Sequence, residues 1–145
     1  MPFVSITRLR LRSAWYLVSF FIHATRSSNQ MVKHSKFIKG KTLMDKKLTF
    51  WTMSLWPSEA DMRAYRNTDA HKKVMPKLQV WCDEAAIVHW QQEGSDVPDW
   101  TEAARRMRIE GRISKVKHPT ADHPLLKFPD PLYRPQTERI LVPKN

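Results

Sequence analysis

The nine residues from Leu48 to Trp56, LTFWTMSLW, carry apolar side chains at both alternating sets of positions. Because successive side chains of a strand point to opposite faces, a strand of this kind needs cover on both faces. Pro57 ends the strand, and Ser58 with Asp61 three residues later forms a capping-box pattern that begins a helix. The chain is therefore expected to fold around a sheet that is kept dry on both sides.

The sequence around this strand predicts the element order βαββαβ. The predicted elements are a strand at residues 3–11, a helix from Ser13 to about Ser27, a loop at 27–36, strands at 37–44 and 48–56 joined as a hairpin, helices after Ser58 and after Asp69, and a strand at 85–91.

A βαββαβ unit predicts an α+β, ferredoxin-like fold, with a four-stranded antiparallel sheet and its helices on one face. The other face would remain open although its residues are apolar, so we expect two sheets to pair in a homodimer. We assign residues 1–94 to this domain and residues 95–111 to an additional helix. Residues 112–145 hold six of the ten prolines and predict an extended C-terminal arm.

The net charge of +11 is concentrated at the N-terminal end. Residues 1–56 hold ten Lys and Arg against one acid, whereas residues 57–145 hold fifteen against thirteen. We find no helix-turn-helix, zinc-finger or RNP-type pattern, so a specific nucleic-acid site is not expected. A solvated basic surface is favoured, and a basic face that attracts anionic ligands or lipid headgroups is the alternative.

The single Cys82 excludes an intramolecular disulfide, and its expected place on the apolar face of a helix predicts a buried thiol in a reducing cytoplasm. Arginines followed by the apolar run from Ala14 to Ile22 imitate a signal peptide. No small-x-small cleavage site follows, and the run is about half the length that crosses a bilayer. We therefore expect a cytoplasmic protein without a transmembrane segment.

The run from Leu48 to Lys77 is similar to the strand and helix signature of the antibiotic biosynthesis monooxygenase superfamily. In that signature a strand ends in W-x-S/D-E and the following helix leads to a small-x-H. From Phe3 to His123, including RLRLRS, FWTMSLW, WCDEAAIVHW and WTEAARRMRIEGR, the chain resembles an uncharacterised bacterial family distantly similar to spheroidene monooxygenase. This resemblance implies a dimeric α/β barrel whose subunits each hold a cavity between sheet and helices.

Members of the superfamily include cofactor-free oxygenases of aromatic polyketides and haem-degrading enzymes. Alignment of Asn67 to Asp69 with the similar motif of the haem degraders places Met75 at their histidine ligand and Tyr65 at their catalytic tryptophan. Haem degradation is therefore disfavoured, and we expect no cofactor. No metal site is expected either, because His118, Asp122 and His123 lie in the proline-rich arm without a fixed ligand spacing.

Side chains that the pattern places between sheet and helices are the candidate site residues. His71, at the small-x-H position, is the candidate catalytic base that would take a proton from a phenol before the anion reacts with oxygen. It can equally cap its helix or face solvent. The candidate ligand-binding residues are Arg8, His23, Trp51, Tyr65, Trp81 and His89.

Arg8 shares its strand face with Val4 and Ile6, so its charge needs an anion, a carboxylate partner or an exit to solvent. Two functional hypotheses remain open. One is a monooxygenase-like enzyme acting on a hydrophobic or aromatic small molecule. The other is a non-catalytic dimeric binding or structural protein of the same fold.

Overall fold

An antiparallel sheet of six strands organises the described part of the chain, which is residues 1–144 without the side chains of residues 69–71. The structure is a computed structural model. The strand order is β5-β4-β1-β3-β2-β6. The strands and helices are β1 (Phe3–Leu11), α1 (Leu17–Lys33), β2 (Lys39–Asp45), β3 (Thr49–Trp56), α2 (Glu59–Arg66), α3 (Asp69–Trp81), β4 (Cys82–Gln91), α4 (Trp100–Glu110), β5 (Arg112–Ile113) and β6 (Glu138–Leu141).

The four central strands and the helices between them confirm the predicted α+β ferredoxin-like fold. The prediction of a four-stranded sheet was incomplete, because the C-terminal arm (residues 112–144) adds one strand at each edge. β5 pairs with β4, and β6 pairs with β2. Short edge strands of this kind are compatible with the many prolines of the arm, since only one side of an edge strand must supply hydrogen bonds.

Side-chain caps fix the helix starts that the sequence predicted. The Ser58 hydroxyl accepts a hydrogen bond from the backbone N–H of Asp61 at 3.2 Å, which begins α2. At the start of α4, the Asp99 carboxylate accepts from the backbone N–H of Glu102 at 2.7 Å. Each cap satisfies a backbone donor that has no partner inside its helix.

The first helix departs from the prediction in length and in the direction of its apolar residues. α1 runs to Lys33, so the predicted loop at residues 27–36 was mostly wrong. Phe20 points into the core, whereas Trp15, Val18 and Ile22 have exposed fractions of 85%, 72% and 47%. The wide apolar stripe of the sequence therefore divides into one face that packs on the sheet and another that faces solvent.

The two faces of the sheet are covered by different parts of the chain. The helix face packs against α1, α2 and α3, through contacts such as the Phe20 and Phe50 rings at 4.5 Å and the stacked Trp56 and Tyr65 rings at 5.3 Å. The opposite face, here called the arm face, packs against α4 and the C-terminal arm. No helix among the described residues is long and apolar enough to cross a membrane.

Burial on the arm face is complete within a single chain. Ile6, Met53 and Met107 of α4 are fully buried, and Phe128 of the arm is 9% exposed. The homodimer was expected because this face would otherwise be open, and the structure removes that reason. The homodimer itself stays a prediction.

We predict that Phe128→Ala destabilises the protein by about 3 kcal/mol, because the ring packs against Trp51 at 5.7 Å and closes the arm face. Urea denaturation measures the free energy of unfolding, and light scattering measures self-association through the newly uncovered face. Leu125→Ala is the matched control in the same arm. Leu125 is 70% exposed, so this substitution is expected to change the free energy of unfolding by no more than about 0.5 kcal/mol. Equal stability of the two variants would contradict the role given to the arm.

Candidate functional site

A band of hydroxyl side chains crosses the middle of the helix face. Thr7 of β1 lies opposite Thr52 of β3, which lies opposite Thr42 of β2. One row further along, Ser5 lies opposite Ser54. We call these five residues the hydroxyl floor. Four of them are only half-buried, and Ser54 is buried.

Apolar clusters close both ends of the hydroxyl floor. One cluster contains Phe3 and Trp56, and the other contains Leu11 and Phe50. These four side chains are buried, whereas the hydroxyls between them remain partly accessible to solvent. The interval between the two clusters, beneath the helices, therefore has polar groups at its bottom and aromatic rings at its ends, and we treat it as a candidate ligand cleft. This combination is typical of sites for small organic ligands.

His89 of β4 lies opposite Ser5 and borders the hydroxyl floor. Its ring lies 5.2 Å from the Phe3 ring. Burial lowers the pKa of His89 below its ordinary 6.5, and the nearby positive charges of Arg112 and Arg66 lower it further. His89 is therefore neutral at pH 7 and has a ring nitrogen that can accept a hydrogen bond or a proton.

His23 and Trp81 form a pair between α1 and α3. Their ring centres are 5.6 Å apart, and Trp81 also stacks on Tyr16. His23 lies 3.5 Å from the ammonium of Lys77, and its pKa is lowered by slight burial and then by that positive charge. The pair lies beside the cluster that contains Leu11, at one end of the cleft.

Tyr65 is part of the packed core. Its hydroxyl donates to the backbone carbonyl of Ser27 at 2.9 Å and lies 2.8 Å from the Ser27 hydroxyl. Burial raises the pKa of Tyr65 to about 12, so the phenol stays protonated. Since its ring stacks on Trp56 and its hydroxyl is already bonded, Tyr65 supports the end of the cleft from beneath α2.

The structure places Arg8 and Trp51 on the arm face, away from the other candidates. Trp51 is fully buried between Trp100 and Phe128. The Arg8 guanidinium lies over the Phe128 ring at 4.4 Å and near Trp51 at 5.9 Å. These two residues therefore cannot line the same cleft as His23, Trp81 and His89.

Glu84 is a residue that the sequence analysis missed. It is 5% exposed and binds Arg8 at 2.8 Å, Arg10 at 3.2 Å and the Thr120 hydroxyl at 2.7 Å. Burial alone would raise the pKa of Glu84, but hydrogen bonds from Thr120 and Arg8 outweigh this and lower it. The need of Arg8 for a partner was the available signal, and the early start of β4 at Cys82 brings Glu84 into the sheet.

The side chain of His71, the candidate catalytic base, lies outside the described residues. The two positions singled out by the comparison with haem degraders do not fit haem. Tyr65 is packed and hydrogen-bonded as described above, and Met75 of α3 is 43% exposed. A surface thioether is poorly placed to ligate haem in an enclosed pocket, and a phenol that is packed and already hydrogen-bonded is not free to contact bound haem.

Solved structures place this arrangement in the fold class of the antibiotic biosynthesis monooxygenases. One structure of such a monooxygenase superimposes with a TM-score of 0.57 at 10% identity, over 63% of this chain and 99% of that chain. A variant of SnoaB, a cofactor-independent oxygenase from Streptomyces nogalater, superimposes with a TM-score of 0.54 at 10% identity. The match covers 65% of this chain and 95% of that chain. Rv0793 from Mycobacterium tuberculosis superimposes with a TM-score of 0.59 at 7% identity, over 67% of this chain and 100% of that chain.

Within this class, residues 19–114 match the family described as Domain of unknown function (DUF3291). The match extends from α1 to β5 and spans more than half of the chain. The chain therefore belongs to this family. No curated protein matches the sequence. The resemblance to the antibiotic biosynthesis monooxygenases is therefore confirmed at the level of the fold.

We predict that His89 titrates below pH 6.5 in the folded protein, and that Arg112→Gln raises its pKa because one of the positive charges beside it is removed. Since the folded state resists protonation of His89, this residue reduces the free energy of unfolding as the pH falls through 6.5. NMR titration of the His89 ring protons measures the midpoint. Arg139→Gln, an exposed change at the other sheet edge, is the control. A midpoint above 6.5 would contradict this electrostatic account.

Proposed function

We propose that the chain is a monooxygenase-like protein that binds a hydrophobic or aromatic small molecule in the cleft between the helix face and α1 to α3. The observation that carries this proposal is the hydroxyl floor. Thr7, Thr42 and Thr52 are only half-buried, and they lie between the buried rings of Trp56 at one end and Phe50 at the other. Since helices cover this face, accessible polar groups at its centre indicate a space that a ligand can enter.

The chemistry of the cleft defines the ligand. Rings such as those of Phe3 and Trp56 at one end and Phe50 at the other favour a planar apolar body. Ser and Thr hydroxyls both donate and accept hydrogen bonds, so they suit phenol and carbonyl oxygens on that body. We therefore expect a hydroxylated or oxo-substituted aromatic molecule, bound without a cofactor.

The catalytic version of the proposal is oxygenation with dioxygen as the only oxidant. His71 in the first turn of α3, as the base, would take a proton from an acidic phenol, leaving an electron-rich anion. A ring CH₂ then loses two hydrogens and gains one oxygen atom as a carbonyl, while the second oxygen atom leaves as water. The substrate supplies all four electrons that reduce dioxygen, which is the reason why no cofactor is needed.

A non-catalytic binding protein of the same fold is the second candidate. The surroundings of His89 favour it, because burial and the positive charges of Arg112 and Arg66 are the largest influences on its ring. A histidine that acts as a general base is usually oriented by a carboxylate. No carboxylate among the described residues forms a hydrogen bond with His89. Binding and catalysis therefore require separate tests.

We predict that the double variant Thr7→Val and Thr52→Val binds hydroxylated aromatic ligands about tenfold more weakly, because two hydroxyl partners are lost at nearly constant volume. Calorimetric titration with a panel of phenolic and quinone-type polycyclic compounds measures the affinity. Thr101→Val, an exposed change on α4, is the control and should bind like the unmodified protein. Unchanged affinity of the double variant would place the ligand elsewhere.

For the catalytic version, we predict that His71→Ala lowers oxygen consumption with a bound phenolic substrate by about 100-fold or more, while binding persists. An oxygen electrode and product analysis measure turnover, and His118→Ala on the exposed part of the arm is the control. Saturable binding of the panel by the unmodified protein without oxygen consumption would reject the oxygenase and support the binding protein.

A further inference from the structure

A second cleft lies on the arm face, at the end of the sheet where the hairpin between β2 and β3 approaches the arm. Its volume is about 100 Å³. A smaller recess of about 10 Å³ shares Arg8, Glu84 and Phe128 with it. We call this the Arg8 cleft. The cationic residues that line it are Arg8, Arg10, Lys46, Lys47 and Lys127.

Most of the carboxylate oxygens in the Arg8 cleft already have other partners. Glu84 binds Arg8, Arg10 and Thr120. Asp45 accepts hydrogen bonds from the backbone N–H groups of Lys46 at 2.8 Å and Leu132 at 3.0 Å. The third acid, Asp122, is an exposed residue. Five cationic and three acidic residues therefore leave an excess of two positive charges.

The three lysines supply this excess. Lys46, Lys47 and Lys127 are exposed, and none of them forms an ion pair within the part of the chain that the structure describes. The chain holds the first two in place through a tight turn, in which Lys47 and Leu48 have φ values of 58° and 60°. Asp45 pairs with Thr49, so these are two residues of a three-residue connection, and their positive φ values turn the chain sharply between the two strands.

Arg8 gives the bottom of the cleft a buried side chain whose N–H groups are directional hydrogen-bond donors. Arg8 is 7% exposed, and its Nη1 donates to Glu84. Its Nε is buried and has no hydrogen-bond partner among the described residues. A guanidinium N–H without an acceptor is costly in a dry environment, and the planar fork of arginine matches the oxygens of phosphate and carboxylate groups.

We propose that the Arg8 cleft binds a small oxyanion, namely the phosphate or carboxylate group of a small molecule. Arg8 lies at the bottom of the cleft and the three lysines lie at its rim. The size of the cleft supports a single anionic group, because sites for drug-sized ligands occupy about 300–1,000 Å³. Charge-assisted hydrogen bonds to arginine and lysine are stronger than neutral ones. The cleft is distinct from the hydroxyl floor, since the two lie on opposite faces of the sheet.

The test is calorimetric titration of the full chain with inorganic phosphate and, separately, with succinate, at constant low ionic strength. Saturable binding of either supports the proposal, and the one that binds identifies a phosphate or a carboxylate as the natural group. The bound anion should also raise the melting temperature. The double variant Lys46→Gln and Lys127→Gln should weaken binding about five- to tenfold. Both lysines are exposed, so the fold should persist.

The control is the double variant Lys33→Gln and Lys36→Gln, which removes the same charge from exposed positions at the C-terminal end of α1. This control should leave the affinity within about twofold. Absence of saturable binding of both anions overturns the proposal. An equal loss of affinity in both double variants also overturns it, because binding would then follow from net charge alone.

Discussion

The structure depends on the burial of the arm face of the central strands by later residues of the same chain. Ile6 and Met53 have no exposed surface, and α4 covers them with Ala103, Ala104 and Met107, which are also fully buried. A ferredoxin-like unit with helices on one side leaves the other side open. Here the chain continues past β4 and supplies its own third layer. The strands can therefore be apolar on both faces without a second subunit on the arm face.

This arrangement divides the functional surfaces between the two faces. The arm face carries a continuous apolar core over most of its area, and the Arg8 cleft forms at its polar end near the hairpin. The helix face has two separate apolar clusters instead of one. The interval between them contains the hydroxyl floor, where side chains are too small and too polar to fill the space beneath the helices. The proposed ligand site lies in this interval.

The sequence predicted those parts of the fold that depend on local patterns. Alternation located β1 and β3, and the side chain of Ser58 located a helix start, because a cap acts within three residues. Contacts between distant residues were not predictable. The loop expected after Ser27 is helical, and the Ser27 hydroxyl meets Tyr65 across 38 residues. Likewise, Arg8 and Glu84 are 76 positions apart, so only the need for a partner could be inferred.

Prediction of the candidate site had a more specific limit. Alternation assigns Arg8 to one face of β1, and the register then places it beside Trp51 on β3. However, the residue pattern of either strand does not determine which face packs against the helices and which packs against the C-terminal arm. A residue can therefore be assigned correctly to a face and still be assigned to the wrong layer. In this protein that difference separates Arg8 and Trp51 from His89, and it separates the proposed oxyanion site from the proposed site for an aromatic molecule.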